Sequence, residues 1–190
     1  MEAAVAFDPQ ITLGNTVVRL VKGDITELEV DAFVFYAQHD LALGSGFGGM
    51  IGLRGGASIQ KELDEMAPVG HLEAVVSGAG KLKAEYIIHA VGPRFREDNI
   101  ETKLSTTMEN CLLRAEEKGL NTLAFPAMGA GYYGIPAAVS ATVMRAALEA
   151  HLSEESGLEE VIVCVLDTPQ FNAFEAAFKA ASHGAFPAQS

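Results

Sequence analysis

Two stretches of the chain carry residues whose types and spacing point to chemistry. Gly44, Gly46 and Gly49 form a G-x-G-x-x-G pattern, and Gly129, Gly131 and Gly134 form a second one. Glycine lets a backbone turn tightly and lets its N–H groups come close to a ligand. Each pattern leads into a predicted helix, whose first N–H groups lack internal partners and carry partial positive charge. Such a start is suited to an anion, phosphate above all. A single pattern of this kind reads equally well as a tight turn. Two of them, each behind a predicted strand, favour one shared ligand site. No Lys or Arg lies between Gly23 and Leu53, and no charged residue lies between Gly119 and Met144. An anion held here would rest on neutral backbone donors. The chain has no G-K-[ST], so ATP hydrolysis of the P-loop type is excluded. The first pattern begins too far beyond Tyr36 for the tight strand-to-helix turn of a dinucleotide-binding site.

The elements that must position these loops follow from hydrophobic periodicity. Ile11–Leu13 and Thr16–Val21 read as two strands around a Gly14-Asn15 turn. Asp31–Tyr36, Ala74–Ser77, Tyr86–Val91, Thr122–Phe125 and Val161–Leu166 read as further strands. Gln38–Gly49 reads as a loop, with a helix beginning near Gly48 or Gly49, interrupted at Gly55-Gly56 and resuming over Ala57–Met66. Leu104, Met108, Cys111, Leu112 and Ala115 recur at helical spacing within Glu101–Lys118. Ala137–Leu152, with Pro136 in its first turn, and Phe171–Ala181 are the remaining helices. Alternating strands and helices predict an α/β fold with a mixed, mostly parallel sheet between helices, the two N-terminal strands adding an antiparallel edge. In such sheets a ligand sits beyond the carboxyl ends of the strands, which is where both glycine loops fall.

Composition bounds the function. The chain has 190 residues, 49% hydrophobic and 20% charged, which fits one domain over 1–190 with a core of about 10–182 and a frayed tail over 183–190. The net charge of -12 excludes broad electrostatic binding of nucleic acid or anionic lipid. Two cysteines, Cys111 and Cys164, supply neither a disulfide framework nor a Cys-rich metal site, so no metal or cofactor is expected. No apolar run approaches the roughly 20 residues of a membrane span. The first ten residues have no basic stretch of the secretory kind, and a cytoplasmic protein is expected.

Taken together, these pieces resemble the macrodomain, an ADP-ribose-binding module, over roughly Val17 to Phe178. Gly23-Asp24-Ile25-Thr26 resembles the family's GDIT, and Asp31–Val34 its DAIV strand. Gly44–Phe47 (GSGF) resembles the first phosphate loop, Ile88–Pro93 (IHAVGP) matches a family segment, and Ala124–Gly134 (AFPAMGAGYYG) resembles the second loop. The resemblance implies a three-layer macrodomain-like fold and a set of roles. Asp24 would accept a hydrogen bond from the adenine amino group, with Ile25 beside the base; the reading from residues alone is a turn carboxylate or helix N-cap. Gly44, Ser45, Gly46 and Phe47 would enclose the diphosphate and distal ribose together with Gly129, Ala130, Gly131, Tyr132 and Tyr133. Leu166, or Phe171 in its place, would lie against the adenine. His89 reads as structural.

The chain departs from the family within this site. The family's NAAN is Phe35-Tyr36-Ala37-Gln38 here, so Gln38 stands where an asparagine holds the distal ribose. Strand alternation leads us to expect only one of Phe35 and Tyr36 to face the ligand. Where one hydrolytic branch has an Asp after the first loop, this chain has Gly48. Three readings follow. The chain binds ADP-ribose or an ADP-ribosylated protein; or it hydrolyses ADP-ribosyl esters, O-acetyl-ADP-ribose or ADP-ribose 1''-phosphate, with His39 or Asp40 near Gln38 as general base; or it binds another adenine nucleotide.

Overall fold

A computed structural model describes residues 9–181, so the expected frayed tail lies outside the described residues. In chain order these residues form β1 (Gln10–Leu13), β2 (Thr16–Lys22), β3 (Ala32–Tyr36), α1 (Gly46–Gly55), α2 (Ala57–Met66), β4 (Ala74–Gly78), β5 (Tyr86–Ala90), α3 (Ile100–Glu117), β6 (Thr122–Phe125), α4 (Ala137–Leu152), β7 (Glu160–Val165) and α5 (Thr168–Ala181). Short 3-10 turns occupy Ile25–Glu27 and Gly131–Tyr133.

Strand alternation explains the layers. Successive side chains of a strand point to opposite faces. In β3, Ala32, Val34 and Tyr36 join one buried cluster, while Phe33 joins another, with Phe35 packed against it. In β7, Val161, Val163 and Val165 fall in the first cluster and Ile162 and Cys164 in the second. A sheet that is apolar on both faces must be covered on both. Ile51 of α1 and Ile59 and Leu63 of α2 cover one face. Leu104, Met108 and Leu112 of α3, Ala141, Met144 and Leu148 of α4, and Phe174 and Phe178 of α5 cover the other. Burial of each Leu or Phe is worth about 1.5–3 kcal/mol.

The strands lie in the order β1-β2-β7-β6-β3-β5-β4. β2, β7, β6, β3 and β5 run parallel, and β1 and β4 are antiparallel edges. The N-terminal pair is antiparallel as expected, but β2 itself belongs to the parallel set beside β7, and only β1 of the two is reversed. The hairpin signal between β1 and β2 is local and says nothing of the long-range pairing of β2. The carboxylate of Asp31 accepts from the N–H groups of Asn121 and Thr122 at 2.7 and 3.0 Å, while its own N–H donates to the Thr122 hydroxyl at 2.7 Å. These bonds set the start of β3 against that of β6, so the strands' carboxyl ends, and the loops behind them, come out side by side.

His89, in β5, is fully buried, as its mid-strand place in the sequence implies. Its Nε2 lies 2.7 Å from Ser77 Oγ, whose hydroxyl donates to the Gly78 carbonyl at 3.0 Å, so the ring donates to the serine. Nδ1 has no partner among the described residues, and burial pushes the imidazole down to about 4. The unfolded chain therefore takes up a proton that the folded chain refuses between about pH 6.5 and 4. Stability should be full above that window and fall as the pH drops through it. Denaturant unfolding across this range should show the slope, and His89→Gln should flatten it; an unchanged slope in the variant would assign the effect elsewhere.

Candidate functional site

Both glycine loops lie at the carboxyl end of the parallel strands, and both are held by side chains of the covering helices. On one side, Leu43 N–H donates to Gln60 Oε1 at 2.9 Å, and Gln60 Nε2 donates to the Leu41 carbonyl at 3.3 Å. On the other, Ser140 Oγ donates to the Met128 carbonyl at 2.8 Å. Gly44, Gly46, Gly129, Gly131 and Gly134 all have φ between 59° and 79°, the left-handed region that side chains disfavour. Helix α1 begins at Gly46, two or three residues earlier than expected, because Ser45 is extended and Gly46 takes the turn. The first N–H groups of α1 thus sit within the loop itself.

The loops enclose a cleft of two adjoining hollows, about 240 and 210 Å³. The first is lined by Gly44, Ser45, Gly46 and Phe47, the second by Gly129, Ala130, Gly131 and Leu166, and Tyr132 and Tyr133 border both. Phe35 and Tyr36 form the shared floor. Both residues border the hollows, whereas strand alternation leads us to expect one. They project to opposite faces, but the cleft straddles the strand's end. Phe35 leans on Phe47, with ring centroids 5.8 Å apart, and meets the edge of His89. Tyr36 packs under Tyr133 at 4.6 Å and donates its hydroxyl to the Pro93 carbonyl.

Other predicted residues fall differently. Gln38 is exposed at the junction between the first hollow and a separate side cavity. His39 lines that side cavity, whereas Asp40 lines none of these hollows and accepts from Ala42 N–H within its own turn at 3.1 Å. Asp24 caps the Ile25–Glu27 turn, accepting from Thr26 N and Oγ1 at 3.0 and 2.6 Å, and its other oxygen accepts from Arg54 Nη1 at 2.5 Å. Partial burial pushes its pKa up, but the bonds from Thr26 and Arg54 outweigh this and hold it below the usual carboxylate range. It lies within electrostatic reach of Cys164, which lines the second hollow and whose thiol burial pushes up to about 11. Ile25 is buried in the same core cluster as Cys164. Leu166 stands just past β7 and is 68% exposed on the rim. Phe171 packs against the larger core cluster instead, and Gln170 takes its place in the cleft wall.

The side cavity, about 240 Å³, holds residues that the sequence reading passed over. His71, Arg94 and Glu97 line it with Gln38, His39 and Tyr133. His71 comes from the turn before β4, and Arg94 and Glu97 from the segment after β5. A signal for Arg94 was present: it follows IHAVGP directly, beyond a strand's carboxyl end. Burial pushes the Glu97 carboxyl up, yet hydrogen bonds from Arg94 N–H, Lys103 and His71, each at 3.0 Å, prevail and bring it down to about 2.

Comparison with known proteins accords with this geometry. The Macro domain family model matches residues 36–144. A protein of Saccharolobus solfataricus is 40% identical, with 84% of this chain and 90% of that one covered. The O-acetyl-ADP-ribose deacetylase 2 of Pantoea vagans is 30% identical, over 83% and 95% of the two chains. A variant of the Oceanobacillus iheyensis macrodomain, solved with ADPR, superposes with a TM-score of 0.87 at 23% identity, covering 92% of this chain and 98% of that one. The chain belongs to the macrodomain family, and its fold is the family's three-layer fold.

One family difference has a steric basis. A Cβ on Gly48 would lie 2.1 Å from the Leu43 carbonyl oxygen and 3.1 Å from the Phe35 ring. An aspartate cannot stand there unless the loop moves. Gly48→Asp should therefore destabilise the fold by at least about 1–3 kcal/mol, the usual cost of overpacking. Chemical denaturation checks this; a neutral substitution would mean that the loop yields freely.

Proposed function

We propose that the chain binds ADP-ribose, or the ADP-ribosyl group of a modified protein, in the cleft between Gly44–Phe47 and Gly129–Tyr133. The observation that carries the reading is the cleft's composition: two adjoining hollows walled by glycine backbone and the start of α1, without a cationic side chain in either wall. A diphosphate suits such walls, because backbone N–H groups and the helix terminus favour negative charge at close range. The second hollow, with Leu166, Pro126, Ala127 and Cys164, offers apolar surface for a base. The first, reaching Gln38, offers a polar end for the distal ribose. Macrodomains of Oceanobacillus iheyensis and Trypanosoma brucei have been solved with ADPR and with ADP-ribose, which supports the same assignment.

Asp24 is the adenine reader in this proposal. A carboxylate offers about four lone-pair sites. Three are occupied, two by Thr26 and one by Arg54, so one remains for the amino group. A second reading, ester hydrolysis, has support in the Pantoea vagans relative's name and in the polar side cavity beside Gln38.

Calorimetry with ADP-ribose, AMP, ADP and NAD tests the primary reading. ADP-ribose should bind more tightly than AMP, because it alone of the two spans both hollows. Asp24→Ala should weaken it by about 1–3 kcal/mol, the cost of one lost charged hydrogen-bond partner. Absence of heat at millimolar ADP-ribose would overturn the proposal, and an unchanged affinity in the variant would remove Asp24 from it.

A further inference from the structure

The side cavity gathers groups that binding of ADP-ribose does not use. His71 Nε2 stands 3.0 Å from Glu97 Oε2. The same oxygen accepts from Lys103 Nζ at 3.0 Å, and Glu97 Oε1 accepts from Arg94 N–H at 3.0 Å. Both oxygens of the carboxylate are thus fixed, and it is ionised. An ionised carboxylate accepts only, so the proton on the His71 ring sits on Nε2. In the neutral ring Nδ1 then carries the lone pair, and the carboxylate holds the ring in place. This is the arrangement of an oriented general base.

Its place gives that base something to act on. His71 lines the cavity together with Gln38 and Tyr133, the two residues that the cavity shares with the first hollow of the cleft. The outer end of a ligand lying along the cleft therefore opens onto the cavity. Asp40 is engaged in its own turn. His39 lines the cavity, but no carboxylate among the described residues holds its ring; His71 has Glu97. Arg94 lines the same cavity and lies close enough to Tyr133 for its charge to act on the phenol. Among the described residues its guanidinium is not paired with a carboxylate, which leaves its donors for a developing negative charge.

We propose that His71, positioned by Glu97, is the general base for hydrolysis of a carboxylic ester joined to the distal ribose of ADP-ribose. The proposal rests on the cleft reading above. Nδ1 of His71 takes a proton from water as the water oxygen bonds to the acyl carbon. Arg94 faces the oxyanion of the tetrahedral intermediate. The bond from the acyl carbon to the ribose oxygen then breaks, and that oxygen receives the proton from His71. Ester and water give carboxylic acid and ADP-ribose, with no further reactant. Glu97 is a positioning residue, because it touches His71 and not the ester.

The test follows turnover of O-acetyl-ADP-ribose and of a peptide ADP-ribosylated on glutamate, with calorimetry of ADP-ribose in parallel. The wild-type protein should hydrolyse at least one of these esters. His71→Ala should lower kcat about 100-fold or more, the usual share of a general base, with the ADP-ribose Kd unchanged. His71→Gln, which keeps a donor for Glu97 but cannot carry the proton, should lose the same activity. Glu97→Gln should lower kcat while leaving the Kd in place, a split that a purely structural role would not produce. Binding of ADP-ribose without hydrolysis of either ester overturns the proposal and leaves the cleft reading standing. So does turnover that survives in His71→Ala or His71→Gln. Failure of ADP-ribose to bind fells the cleft reading, and this proposal with it.

Discussion

Two consecutive aromatic residues at the end of β3 carry the two walls of the cleft. The pleat sends Phe35 to the α1 side, where it supports Phe47, and Tyr36 to the other side, where it supports Tyr133 and bonds to the Pro93 carbonyl. The two loops share no side chain of opposite charge that would draw them together. Their separation is set by ring-on-ring contact with neighbours in one strand. The rest of the site depends on this, because a backbone that binds an anion through its own N–H groups must be held rigid by something other than the anion. His89, edge-on to Phe35, and Gly92, where a Cβ would meet the Tyr36 hydroxyl oxygen at 2.3 Å, complete the seating of the pair.

The proposed binding mode is also compatible with an acidic chain. A charge of -12 acts over a Debye length and governs broad surfaces. It does not forbid short-range donors in a recess. The cleft walls hold no carboxylate, and the charge of Asp24 is offset by Arg54. Repulsion thus falls on large polyanions that would have to cover the surface, and much less on a small diphosphate that enters the recess.

Much of the fold was legible because its signals are local. The helical spacing of Leu104 to Ala115, the apolar run at Val161 and the Gly14-Asn15 turn each specify an element within a few residues. The parallel pairing of β2 with β7 joins residues more than 140 positions apart, and no local pattern reports it. The glycine loops were legible for a related reason: positive φ is a demand that sequence expresses directly. The side cavity was not. His71 and Glu97 come from different connections, and each looks like an ordinary surface residue until the sheet brings them to 3.0 Å. Asp24 shows a third case, in which the capping role leaves room for another. It is the cap that the residues alone suggested, and it keeps one lone pair for the ligand role that the family resemblance implies.

Helix α1 links features that have so far been treated separately. Its first turn forms the wall of one glycine loop, and Arg54 in its last turn grips Asp24 and Thr26 at 2.5 and 2.8 Å. Ten residues of α-helix measure about 15 Å and do not stretch. The helix therefore fixes the distance between the first glycine loop at one end and the Asp24 carboxylate at the other. A displacement along its axis at either end is felt at the other. In the proposed binding mode, a ligand that reaches both ends is thereby tested for its span as well as for its chemistry.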